Sequence, residues 1–187
     1  MEAAKNEEWD EMLEIANKGV NVDIEDEDDQ SPLSYAANYS DATVVEKLIK
    51  VGVENIVKKR IASGDKGDKE QMKTDVAKNL VNKRNLPILN AVSKGNKGIF
   101  DILVKYGADP KKVTTLLHYT APQCNKELAH ILIDKYGLNV NETQDYQETP
   151  LHKAAYYIGL AGNSCRCFLC RPFLSVINNF LGSVYTI

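Results

Sequence analysis

An all-α chain of stacked antiparallel helix pairs joined by short hairpins is the architecture this sequence predicts, and three observations predict it. Four segments align on one template: SPLSYAANYSDATVVEKLIKVG (Ser31–Gly52), LPILNAVSKGNKGIFDILVKYGADP (Leu86–Pro110), TLLHYTAPQCNKELAHILIDKYGLNVN (Thr115–Asn141) and TPLHKAAYY from Thr149. Inside them, apolar residues recur at helical spacing: Val44, Val45, Leu48 and Ile49, then Ile99, Phe100, Leu103 and Val104. Glycines follow those runs at Gly52, Gly107 and Gly137, where a left-handed residue closes a helix at least cost. One helix pair cannot bury its own apolar face, so stacked copies must share a core.

Taken in order, residues 1–29 supply an N-terminal capping half-unit through MLEIANKGVNVDIED. Residues 30–56 form a repeat whose Ser31 offers a capping hydroxyl and whose Pro32 fits the first helical turn. A basic insertion follows at 57–81, because the step from Ser31 to Leu86 is 55 residues against 29 and 34 for the next two. Its first part, Ile61–Asp68, reads as a loop around two glycines. Its second part has the spacing of a helix bearing Met72, Val76, Leu80 and Val81. The preferred reading is an elaborated loop, from which Ser63–Lys73 could be deleted without loss of folding. Repeats at 82–112 and 113–145 follow, then a partial repeat at 146–162 and a Cys-rich apolar tail at 163–187. The small pairs Ala36-Ala37, Ala91-Val92 and Ala154-Ala155 let one helix pack closely on the next.

Composition is that of an ordinary globular chain: 187 residues, 43% hydrophobic, 26% charged, net charge -3. That total hides two opposed patches. Residues 1–30 hold twelve acids against two lysines, and residues 57–84 hold nine Lys/Arg against four acids. Such patches can steer different partners, or each other. The N-terminus, MEAAKNEEWDEM, lacks the basic-then-apolar layout of a secretory signal, and no run of eighteen apolar residues exists. Three of the four cysteines crowd into the last quarter, which suits a reducing interior, cytoplasmic or nuclear, better than a disulfide framework.

The segments TPLHKAA (Thr149–Ala155), GLNVN upstream of it and KYGADP (Lys105–Pro110) resemble the ankyrin repeat. The resemblance covers about residues 8–157 apart from the insertion. Departures stand at Leu86 in place of Thr, at Leu116 in place of Pro, and at Asp29, Arg84 and Gln147 in place of the hairpin glycine. It implies that His118 and His152 hydrogen-bond locally and join helices to hairpins. His130 falls within a second helix, at the surface or in packing between repeats.

The resemblance also implies a concave face of hairpin tips and first-helix residues that takes a protein partner. Here those positions are Glu27, Asp28, Gln30, Asn38 and Tyr39; Asn82, Lys83, Asn85, Ser93 and Lys94; Pro122 and Gln123; and Asp145, Tyr146, Glu148, Tyr156 and Tyr157. Four tyrosines among them suit rigid amphipathic anchors. The acidic run Glu25–Asp29 on one tip reads as a solvated tip by default and as a dock for a basic segment otherwise.

No nucleophile–base pair or paired carboxylate stands at a meaningful spacing, and SGDKGDK (Ser63–Lys69) lacks P-loop spacing. The insertion has no aromatic residue to stack a base, so no nucleic-acid partner is expected. Nor does the chain suggest a cofactor or metal site: CRCFLC does not supply a four-ligand zinc geometry. The expectation is therefore a non-catalytic, monomeric adaptor or inhibitor of a protein partner. The alternative is a membrane-surface adaptor anchored through acylation of Cys165, Cys167 and Cys170. In the tail, Phe173, Ile177, Phe180, Leu181 and Val184 after Pro172 predict a capping helix over Arg171–Tyr185.

Overall fold

The structure, a computed structural model, describes residues 1–123 and 125–160, without the side chains of 122–123 and 158–160. Every regular element among the described residues is helical. The order is α1 (Glu2–Lys5), α2 (Trp9–Asn17), α3 (Pro32–Tyr39), α4 (Ala42–Ala62), α5 (Lys69–Val81), α6 (Leu86–Ser93), α7 (Lys97–Lys105), α8 (Leu116–Gln123), α9 (Lys126–His130) and α10 (Pro150–Leu160). A π-helical turn, Ile131–Lys135, continues α9, and short 3-10 turns stand at Lys83–Asn85, Pro110–Lys112 and Asp145–Gln147. Residues 1–91 with 96–109 form one compact unit; residues 92–95 and the described residues from Pro110 onward form a second. The expected all-α fold of helix hairpins is what is found.

Local chemistry starts several of the helices where the template puts them. Ser31 caps α3 in a reciprocal box with Ser34, and Pro32 occupies the first turn. Second helices carry a cap that the sequence reading passed over. Asp41, Asn96 and Asn125 each accept a backbone N–H three residues on, from Val44, Ile99 and Leu128. Gly107 (φ 98°) and Gly137 (φ 67°) occupy the left-handed region after their helices, as expected.

Gly52 does not. It lies inside α4, which runs ten residues past it to Ala62. Its role is close approach: a Cβ there would meet Val22 Cγ2 at 2.5 Å and Leu80 Cδ2 at 3.2 Å. The extended α4 also carries Asn55, whose amide donates to the Ala16 carbonyl (2.7 Å) at the end of α2.

The insertion is corrected in the same way. Residues 69–81 form α5, capped by Asp68 and packed on α4, with Met72, Val76, Ala77, Leu80 and Val81 all buried. The helical spacing of those residues, rather than the glycines before them, decided the outcome. Deleting Ser63–Lys73 would remove the Asp68 cap and the buried Met72 together, so that deletion should cost stability rather than leave the fold intact.

Leu33, Leu48, Ile49, Ile99, Phe100 and Leu103 are essentially fully buried in the first unit, as are Leu116, Leu117, Leu128 and Leu132 in the second. In the second unit α10 packs on α8, where Ala121, Ala129 and Ala154 cluster with Leu151 against them. Leu151 is only half-buried, short of the core position its register implies.

Candidate partner-binding surface

The hairpin tips are built from backbone conformations that ordinary residues seldom adopt. In the first tip the Asp29 N–H donates to the Asp26 carbonyl (3.1 Å) and the Asp26 N–H to the Gln30 carbonyl (3.0 Å). The last tip repeats the pattern, Gln147 N–H to Gln144 carbonyl (3.1 Å) and Gln144 N–H to Glu148 carbonyl (2.9 Å). Asp29, Arg84, Asn85, Tyr146 and Gln147 take φ between 48° and 61° in these tips. Three of them are the positions where the sequence lacks the hairpin glycine, so the turn geometry is kept at a conformational cost.

In the first unit the acidic tip is not simply solvated. Asp26 has a side chain only 6% exposed; it pairs with Lys5 (2.9 Å) and accepts from the Tyr35 hydroxyl (2.8 Å) and the Gln30 N–H (2.9 Å). The Lys5 ammonium, with the Tyr35 hydroxyl and backbone donors, holds the Asp26 carboxyl far below its ordinary value against the opposing cost of burial. Lys83 pairs with Asp23 (2.6 Å) and Glu25 (3.6 Å), and Arg84 with Glu25 (3.2 Å) and Asp29 (2.9 Å). The two opposed charge patches therefore meet each other here. Glu27 and Asp28 remain exposed, and Gln30 is half-buried.

Elsewhere in that unit Tyr39 is 49% exposed and stacks on Tyr35, while Asn38 is half-buried beside it in the chain. Asn82 is committed to the fold: its amide donates to the Lys78 and Gly107 carbonyls (2.7 and 2.8 Å), and its oxygen accepts the Asp109 N–H (3.0 Å). Asn85 is half-buried.

In the second unit Ser93 is half-buried and Lys94 exposed. Asp145 and Tyr146 project from the last tip, Tyr146 at 96% exposure. On α10, Tyr156 and Tyr157 are exposed and meet edge to face at 5.6 Å. Glu148 pairs with Lys153, whose ammonium draws its carboxyl below the ordinary value. The side chains of Pro122 and Gln123 lie outside the described residues, as do Cys165, Cys167, Cys170 and the span expected to form the capping helix.

One exposed aromatic escaped the sequence reading. Tyr119, on α8, is 38% exposed. It occupies the template column of Tyr35 and Lys153, directly after the histidine position, and that column held the signal.

His118 joins α8 to the last hairpin: buried, it donates from Nε2 to the Glu148 carbonyl (3.0 Å). Its Nδ1 has no hydrogen-bond partner among the described residues. His152 shows what is missing, since its Nδ1 takes both the N–H and the hydroxyl of Thr149 (3.1 and 2.8 Å). His130 lies on the surface of α9, 3.2 Å from Asp134.

The groups that could hold a metal form no cluster of three among the described residues, and no described helix is long and apolar enough to cross a membrane. No curated protein matches the chain. A family model described as ankyrin repeats, in three copies, matches residues 88–173, opening inside α6. Residues 88–173 thus match ankyrin repeats, and the helix hairpins and the His118 link between helix and hairpin found among them are consistent with that match.

Proposed function

We propose that the chain is a non-catalytic module, an adaptor or inhibitor, that holds a protein partner on its hairpin tips and first-helix surfaces. Ankyrin repeats are generally protein–protein interaction modules. The observation that carries this reading is Tyr146. A large aromatic side chain stands 96% exposed at a hairpin tip, on a backbone held at φ 61°. Neither packing nor backbone preference accounts for a tyrosine there, whereas a partner that covers the ring would. Tyr119, Tyr156 and Tyr157 in the same unit, and Tyr39 in the other, are further anchors of the same kind.

Hydrogen exchange of the chain with and without a partner recovered by affinity capture tests this assignment. The expected result is slowed exchange at Asp145–Gln147 and along α3 or α10. Protection confined to the second helices α4 and α7 would place the partner elsewhere.

A further inference from the structure

A groove on the first unit lies apart from the hairpin tips, between α4, α5 and the turn after α7. Val53, Ala77 and the half-buried Tyr106 give it apolar walls, and it encloses about 360 Å³. That volume accepts one or two large side chains. Gly107 shapes one side: at φ 98° it brings the backbone against the Lys78 stem, where a Cβ would lie 2.6 Å from Lys78 Cγ.

The charge around this groove is one-sided. Lys50, Lys73, Lys78 and Lys105 line it, against Glu54 alone. Counting the nearby Glu46 and Glu70 with Glu54, the four lysines keep an excess of one positive charge. Glu46 is shared between Lys50 (3.3 Å) and Lys105 (2.9 Å), and Glu70 serves Lys73 (2.7 Å). No described carboxylate pairs with Lys78. Lysines lying along apolar walls can bury their stems and present their heads to an anion.

We propose that this groove docks an acidic segment of a protein partner, with one large apolar side chain in the cavity and its flanking carboxylates on the rim lysines. Cavity and charge have to be satisfied together, and such a segment satisfies both. A nucleic-acid backbone satisfies only the charge. The groove's single ring, Tyr106, turns its hydroxyl to Glu46 (3.3 Å) and is not set out as a base-stacking platform. Because α5 and the extended α4 are additions to the repeat template, the groove distinguishes this chain from a plain stack of helix hairpins.

The test pans a random phage-displayed peptide library on the full chain and removes every clone that also binds Thr74→Trp. Thr74 is an exposed α5 residue at the groove, so the indole blocks the cavity without entering the core. The surviving peptides should carry two or more Asp or Glu around a Trp, Phe or Leu. A synthetic copy of one should bind Lys73→Gln/Lys78→Gln about three- to tenfold more weakly than wild type. Its affinity should also fall as salt rises from about 50 to about 300 mM. Glutamine keeps the helix propensity of lysine, so an unchanged melt certifies the double variant. The proposal is overturned if no clone discriminates against Thr74→Trp, or if the survivors lack acidic residues. It is equally overturned if the double variant abolishes self-association in sedimentation, or binding of a labelled oligonucleotide, while leaving the peptide untouched.

Discussion

Replacing Leu80 with alanine tests whether the 57–81 segment belongs to the core. Leu80 is 2% exposed, and its Cδ2 lies near the bare Cα of Gly52, where an added Cβ would stand 3.2 Å away. Truncation removes three carbons from the interior, about 2.4 kcal/mol at roughly 0.8 kcal/mol per carbon. The vacated space faces a glycine, which has no side chain to move into it, so a cavity contribution of about 1 kcal/mol remains. The expected loss is therefore about 3–4 kcal/mol, a large share of the roughly 5–15 kcal/mol that a domain possesses. Urea unfolding followed by circular dichroism reads it as a lower midpoint at unchanged slope. Asn79→Ala, at the exposed neighbour on α5, should stay within about 0.5 kcal/mol of wild type. If Leu80→Ala also stays within that margin, α5 is not part of the core and the reasoning fails.

Other positions give sharper local readings. Leu117→Ala, at a fully buried site on α8, should cost about 3–5 kcal/mol in the same assay, and Leu151→Ala, half-buried on α10, about half as much. Equal losses would show that Leu151 is as enclosed as its register implies. Gly107→Ala should destabilise by about 1–2 kcal/mol, since it places a side chain at φ 98° and against the Lys78 stem. Asp26→Asn should lower the melting temperature at neutral pH. Because the folded-state pKa of Asp26 lies below the ordinary 3.8, its contribution is complete above that value and is lost as pH falls beneath it. The gap between Asp26→Asn and wild type should thus close below about pH 4, and a gap constant from pH 7 to pH 2.5 would contradict the ion-pair assignment.

Repeat register was legible because it rests on short-range chemistry. Ser31 caps, Pro32 opens a helix, and Gly107 and Gly137 supply left-handed residues, all within a few residues of where they act. What was illegible depends on distant partners. Gly52 reads as a helix stop in one dimension and serves as a contact point for Val22 and Leu80 in three. The Met72, Val76, Leu80 spacing was visible, yet the helix it packs on, α4, was not expected to run on to Ala62.

The candidate surface divides the same way. Exposure of Tyr39, Tyr146, Tyr156 and Tyr157 followed from the template, and Tyr119 was missed in a column that also holds lysine. Sequence proximity made Glu25–Asp29 look like one uniform acidic tip. Lys5, Lys83 and Arg84, distant in the chain, divide it into a paired part and an exposed remainder at Glu27 and Asp28. The two template histidines differ in a way that shows only in space: the His118 N–H donates to the Thr115 carbonyl (2.9 Å), and Thr115 does not serve His118 Nδ1 as Thr149 serves His152.

The central claim, a protein partner held by exposed tyrosines, is tested most directly by the affinity of the Tyr39→Ala/Tyr146→Ala/Tyr157→Ala variant. Isothermal titration of the captured partner into variant and wild type gives the comparison, with far-UV circular dichroism confirming an unchanged fold. Aromatic anchors of this kind are commonly worth about 1–2 kcal/mol each, so affinity should fall by about a hundredfold or more. An unaltered dissociation constant would contradict the account.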